Sequence, residues 1–167
     1  MKALLASSMA YRPRLMILDE PFSGLDPLTR EELIEALIDG SSETTVVLSS
    51  HDLPEIETFV THVAFLDDGR LRFSEELDAL TSRFREISVT LDEDRPPASW
   101  SSSWICLESA GGCARFVDTA FDPDRTEAEV RARFDGIRRI QTEPMPLRSI
   151  FLALARIRKA ERSEGTR

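Results

Sequence analysis

Four apolar residues, Leu15-Met16-Ile17-Leu18, run straight into two carboxylates, Asp19-Glu20, and a proline, Pro21. A short continuous apolar run closed by a turn signal reads as a strand buried on both faces, the kind found in parallel sheets. Open parallel sheets take their ligands at the carboxyl ends of their strands. Asp19 and Glu20 therefore stand where such a fold does its chemistry. Paired acids at that place suit a bound Mg²⁺ and an oriented water beside a nucleotide phosphate.

The flanking sequence supports an α/β reading. Residues 3–11 read as an amphipathic helix packing Leu4, Leu5 and Met9, stopped before Arg12-Pro13 because the residue before proline is pushed out of the helical region. Asp26 has the position of an N-cap with Pro27 at the first helical residue. The helix over about 28–38 should turn Leu33, Ile34, Leu37 and Ile38 inward and leave Arg30, Glu31, Glu32 and Glu35 in water. Thr44 to Ser49 reads as a second buried strand, and Asp52 with Glu55 as a capping box for a helix through about residue 60. Val63–Leu66 and Arg70–Phe73 flank an Asp68-Gly69 turn as a hairpin. A short helix around 75–83 leads out.

After Glu86 the texture changes. Ile87–Leu91 alternates as a half-buried strand, and 92–103 reads as a charged, then Pro- and Ser-rich loop. Gly111-Gly112 as a two-residue turn would place Leu107 opposite Phe116 and Glu108 opposite Arg115. In that register Cys106 and Cys113 are not opposite one another and read as packing residues. A helix at 126–135, a strand near 137–142 and an amphipathic helix at 147–158 complete a small α+β unit. The organisation expected is a first domain over 1–85, a second over 86–159, and a disordered tail over 160–167.

Composition excludes several classes. The net charge of −9, from 21 basic and 30 acidic residues, argues against nucleic acid as a partner, which needs clustered cations. Two cysteines are too few for a disulfide scaffold. The apolar start is shorter than the roughly 7–15 residues of a secretory core, and no apolar run approaches the roughly 20 residues of a membrane span. The chain reads as cytosolic.

Three elements together carry a resemblance. Leu15 to Pro21 matches the Walker B strand and catalytic acid of ABC-type ATPases, the nucleotide-binding subunits of ATP-driven transporters. Ser23-Gly24-Leu25-Asp26 resembles that family's D-loop, and Ser49-Ser50-His51 its switch histidine. The turn at Asp67-Asp68-Gly69-Arg70-Leu71 also fits. The resemblance implies a partial P-loop NTPase core with parallel strands, followed by a small α+β extension. It implies ATP and Mg²⁺ as cofactors. Asp19 would hold Mg²⁺, Glu20 would polarise the attacking water, and His51 would contact the γ-phosphate. Ser23 and Asp26 would link two nucleotide sites across a dimer, and Ser23, Gly24 and Asp26 would join Asp19 in binding the cofactor. His62 matches no functional position and reads as structural. The partners implied are a transmembrane permease and a second ATPase subunit, with the chain held at the inner face of the cell membrane through the permease.

The resemblance covers the family's second half, residues 2–75 most closely. A phosphate loop needs Gly-x-x-x-x-Gly-Lys followed by Ser or Thr, and neither Lys2 nor Lys159, the only lysines, has that context. The Q-loop and signature motifs are absent too. The chain alone is therefore expected to bind ATP weakly or not at all. The helix at 147–158 resembles those ending the extensions of export-type relatives. Its apolar face either docks on its own sheet or, rimmed by Arg148, Arg156, Arg158 and Lys159, meets a partner or a membrane surface. Two other readings stay open: a non-enzymatic docking remnant, and a soluble ABC ATPase of translation or DNA repair.

Overall fold

In the computed structural model, residues 7, 10, 11, 13–40, 44–93, 95, 97 and 99–164 are described, with side chains through residue 157. Ser7 and Ala10 are helical; the rest of the helix expected over 3–11 lies largely outside the described residues, as do 165–167 of the expected tail. The chain divides into two compact units, Met1–Val60 and Thr61–Arg167.

The first unit is a β-α-β crossover. Strand β1 (Leu15–Asp19) pairs in parallel with β2 (Thr45–Ser49), joined by helix α1 (Pro27–Gly40) and followed by a single turn, α2 (Leu53–Ile56). The register sets Leu15 beside Thr45 and Asp19 beside Ser49, bringing both strands' carboxyl ends to one edge. Thr45 N–H and the Thr44 hydroxyl donate to the carbonyls of Arg14 and Pro13, at 3.0 and 2.7 Å, fixing where the pair begins. Asp26 caps α1 as its sequence position predicts, its Oδ1 accepting from Thr29 N–H at 3.1 Å.

Four local expectations are corrected here. The strands are not buried on both faces. Side chains alternate, so Met16 is buried while Ile17 is 74% exposed and Leu15 and Val47 are about half exposed. On α1, Leu33 and Leu37 are buried, but Ile38 is half exposed. The capping box does not form: Asp52 makes no side-chain cap, and its N–H is taken by the Ser50 hydroxyl at 3.0 Å. Arg30, expected in water, lies 3.5 Å from Asp52 and 3.1 Å from Glu55. The carboxylates are thus drawn to a cation instead of to the helix start.

The second unit begins with the hairpin β3 (His62–Asp67) and β4 (Arg70–Glu76), then α3 (Leu77–Arg83). Asp68 and Gly69 both have positive φ, 49° and 67°, the conformation a tight two-residue hairpin turn requires. A four-stranded antiparallel sheet follows in the order β6-β7-β5-β8, formed by β5 (Arg85–Leu91), β6 (Trp104–Ala110), β7 (Cys113–Asp118) and β8 (Ile137–Pro144). Ile87, Val89 and Leu91 project from alternate positions of β5 into a core with Trp104, Ala114, Phe116, Val130 and Phe134. Trp100 pins the preceding loop to it, edge-on to Trp104, Phe116 and Phe134 at about 6 Å.

The predicted Glu108–Arg115 pair forms, but Leu107 does not face Phe116. The register shifts between Ile105 and Glu108, with Cys106 at φ 53°. This bulge sets two residues against one and leaves Leu107 exposed while Phe116 is fully buried. Both cysteines are free. Helix α4 (Pro123–Arg133) starts three residues before the predicted 126 because the Asp122 carboxylate caps Arg125 N–H at 2.9 Å. Helix α5 (Leu147–Glu164) is longer than read in the sequence. It buries Leu147, Ile150 and Ala153 within this unit, and Phe151 meets Phe65 edge-on at 5.3 Å. Docking on its own unit thus accounts for much of the apolar face. Among the described residues no helix is long and apolar enough to cross a membrane.

Candidate functional site

The apolar side chains of β1 end at Asp19, and the chain turns sharply through 20–23, Ser23 N–H bonding the Glu20 carbonyl at 3.1 Å. Glu20 takes φ 45°, an uncommon conformation for a residue with a Cβ. Gly24, at φ 73°, completes the turn into the α1 cap. On the neighbouring strand, Ser49 is the register partner of Asp19. Its hydroxyl donates to Asp19 Oδ1 at 2.5 Å and accepts from Glu20 N–H at 3.0 Å. Two residues on, His51 Nδ1 lies 2.7 Å from Glu20 Oε2.

Four side chains from two strand ends thus make one cluster: Asp19, Glu20, Ser49 and His51. It is open, with the His51 side chain 78% exposed and that of Glu20 38%. Among the described residues, Asp19 Oδ2 and His51 Nε2 take no hydrogen bond. Ser23, Gly24 and Asp26 follow on the same turn, but the Asp26 carboxylate is engaged in capping α1. His62 lies on β3 of the second unit, 4.0 Å from Glu76.

Among the described residues no three acidic, histidine or cysteine side chains group as a metal cage. A carboxylate with an unengaged oxygen suits Mg²⁺, which keeps several waters and binds one or two carboxylates plus substrate phosphates. Asp19, oriented through one oxygen with the other unengaged, could supply one such carboxylate.

Arg30 on α1 pairs with Asp52 and Glu55, which follow His51 in the chain. Burial pushes the Glu55 carboxyl above its ordinary value, Arg30 opposes this, and Asp52 adds to it. Neither Ser49 as the link between the acids nor Arg30 as the clamp on Asp52 and Glu55 was singled out in the sequence. Ser49 and Ser50 both precede His51, but a run of two serines does not say which hydroxyl turns to the acids. The long reach of Arg30 across 22–25 residues leaves no local pattern.

Comparison with known proteins gives a family model described as an AAA domain, putative AbiEii toxin, type IV TA system, matching residues 1–56. The chain is similar to an uncharacterized ABC transporter ATP-binding protein of Alkalihalophilus pseudofirmus, 32% identical over 157 residues, covering 87% of this chain and 56% of that one. It is 33% identical over 109 residues to the ABC transporter ATP-binding protein YtrB of Bacillus subtilis, covering 64% and 37%. It is 39% identical over 75 residues to the lantibiotic transport ATP-binding protein SrtF of Streptococcus pyogenes, covering 44% and 33%. The matches thus span from a third to just over half of these relatives' lengths.

Proposed function

Over most of its length this chain is a homologue of ABC transporter ATP-binding proteins, and on that premise we propose that it supplies the hydrolytic half of such a subunit's nucleotide site. One observation carries the reading. An acid suited to a metal, an acid suited to general base work and a histidine converge at the carboxyl ends of two parallel strands, with His51 on the Glu20 carboxylate at 2.7 Å.

In this reading Asp19 holds Mg²⁺, which when bound neutralises charge on the β- and γ-phosphates. Glu20 accepts a hydrogen bond from the attacking water through a carboxylate oxygen and takes its proton. His51 holds Glu20 through Nδ1 and has Nε2 for a γ-phosphate oxygen. The turn carrying Ser23, Gly24 and Asp26 meets a second ATPase subunit across the nucleotide. A transmembrane permease is the further partner, placing the protein at the inner face of the cell membrane. The lantibiotic-transport relative and the α+β unit favour export. The functional division runs 1–85 for the ATPase part and 86–159 for the extension, with helix α5 continuing through Glu164 into the expected tail of 160–167.

The 167 residues hold no Gly-x-x-x-x-Gly-Lys, so as a separate polypeptide they bind ATP weakly. Joined to the phosphate-loop half of a relative, they should hydrolyse ATP, and Glu20→Gln should cut turnover by about 100-fold or more while ATP binding persists. Undiminished turnover in Glu20→Gln would remove Glu20 as the base. Failure of the joined protein to bind ATP at all would point to a docking remnant instead.

A further inference from the structure

We propose that Ser49 is a positioning residue for this site: its one hydroxyl orients the Asp19 carboxylate and holds the Glu20 backbone in the conformation from which Glu20 reaches His51. The inference rests on the functional reading above for what the site does, but its geometry stands independently.

A serine hydroxyl has one proton to donate and lone pairs to accept with. Ser49 uses both capacities on the two acids, donating to Asp19 Oδ1 at 2.5 Å and accepting from Glu20 N–H at 3.0 Å. The first bond leaves Asp19 Oδ2 as the unengaged oxygen, so the hydroxyl decides which oxygen is presented. The second ties down the amide of a residue at φ 45°. A side-chain-bearing residue there is strained relative to the right-handed region, and it persists only where neighbours hold it. The turn bond from Ser23 N–H to the Glu20 carbonyl secures the other side of the same residue. With both sides held, the Glu20 side chain leaves the strand end toward His51, and Oε2 meets Nδ1 at 2.7 Å.

Parallel pairing places the hydroxyl. Ser49 is in register with Asp19, and side chains alternate along β2. Ser50 therefore turns elsewhere and takes the Asp52 N–H. Moving the hydroxyl one residue along would not substitute for Ser49.

The test uses the full chain with Ser49→Ala and Ser49→Thr, the second retaining a hydroxyl. Three NMR readouts are followed: Glu20 amide hydrogen exchange, the nuclear Overhauser contact between the His51 ring and the Glu20 side chain, and broadening of the Asp19 and Glu20 amides by Mn²⁺ alone. Ser49→Ala should speed Glu20 exchange about 5-fold, as loss of one hydrogen bond predicts. It should remove the His51 contact and weaken Mn²⁺ binding about tenfold, the usual effect of losing a group that orients a ligand. Ser49→Thr should restore all three. Wild-type values of exchange and contact in Ser49→Ala would overturn the proposal. So would equal losses in Ser49→Ala and Ser49→Thr, since the hydroxyl would then not be what matters. An Asp19→Asn chain that broadens like wild type would instead refute Asp19 as the metal acid, a separate failure of the functional reading.

Discussion

Removing Arg30 should destabilise the protein in a pH-dependent way. Its guanidinium lies 3.1 Å from Glu55 and 3.5 Å from Asp52, with Arg30 30% exposed and Glu55 only 14%. Exposed pairs contribute about 0.2–1 kcal/mol, and breaking a buried pair by removing one partner costs about 3–5 kcal/mol. This half-buried clamp falls between, so Arg30→Ala should cost about 1–2 kcal/mol near neutral pH. For a chain of this size that is a fall of roughly 3–8 °C in the thermal midpoint. The Glu55 carboxyl is already raised, chiefly by burial, with Arg30 lowering it and Asp52 raising it. A raised carboxyl contributes stability that is full below its unfolded value, about 4.3, and is lost as pH climbs through the folded value. Without Arg30 only the two raising influences remain, so the folded value rises further and the loss toward neutral pH deepens. The variant should therefore lie close to wild type near about pH 4 and diverge from it by about pH 7. Adding Glu55→Gln should recover more than half of the neutral-pH loss by removing the stranded charge. Urea midpoints at the two pH values measure this. A penalty equal at both, or no rescue by Glu55→Gln, would refute the assigned electrostatics.

Two shorter predictions test other contacts. Asp26→Ala should cost about 1 kcal/mol through loss of the α1 cap, read by thermal melts followed by circular dichroism, whereas Asp26→Ser should stay near wild type; equal melts for Asp26→Ala and wild type would mean the cap carries no stability. The Cys106 thiol is pushed up by burial, with Arg156 opposing and Glu108 adding, so Cys106 should alkylate more slowly than a free thiol near pH 8 and gain rate as pH rises, because the thiolate is the nucleophile. Mass-spectrometric rates as fast as those of a model thiol would contradict this.

The sequence made plain what depends on neighbours along the chain. Asp19-Glu20 at the end of an apolar run, the Asp26-Pro27 cap, the Asp68-Gly69 turn and the Glu108–Arg115 pairing across Gly111-Gly112 are each written in a few consecutive residues, and each took the local form expected. Local patterns failed where two partners competed. Asp52 and Glu55 have capping-box spacing, but Arg30 and the Ser50 hydroxyl engage the groups the box would have used. Leu107 has the right count to face Phe116, but the bulge at Cys106 adds a residue to that strand.

The family resemblance and the candidate residues Asp19, Glu20 and His51 were thus legible from residues alone, because a motif is a local arrangement of chemical types. Their convergence was not. Ser49 reaches Asp19 and Glu20 across 30 and 29 residues, and only the parallel register of β1 and β2 says that its hydroxyl, and not that of Ser50, arrives between the acids. Likewise the apolar run named a strand without saying how many neighbours it has, and the half-exposed face of Leu15, Ile17 and Val47 emerges only with the sheet. Sequence fixes which groups a segment carries and how often they repeat. Where two segments meet is decided by backbone pairing and packing over long separations, so the tertiary structure alone turned a list of acids and a histidine into a hydrogen-bonded site.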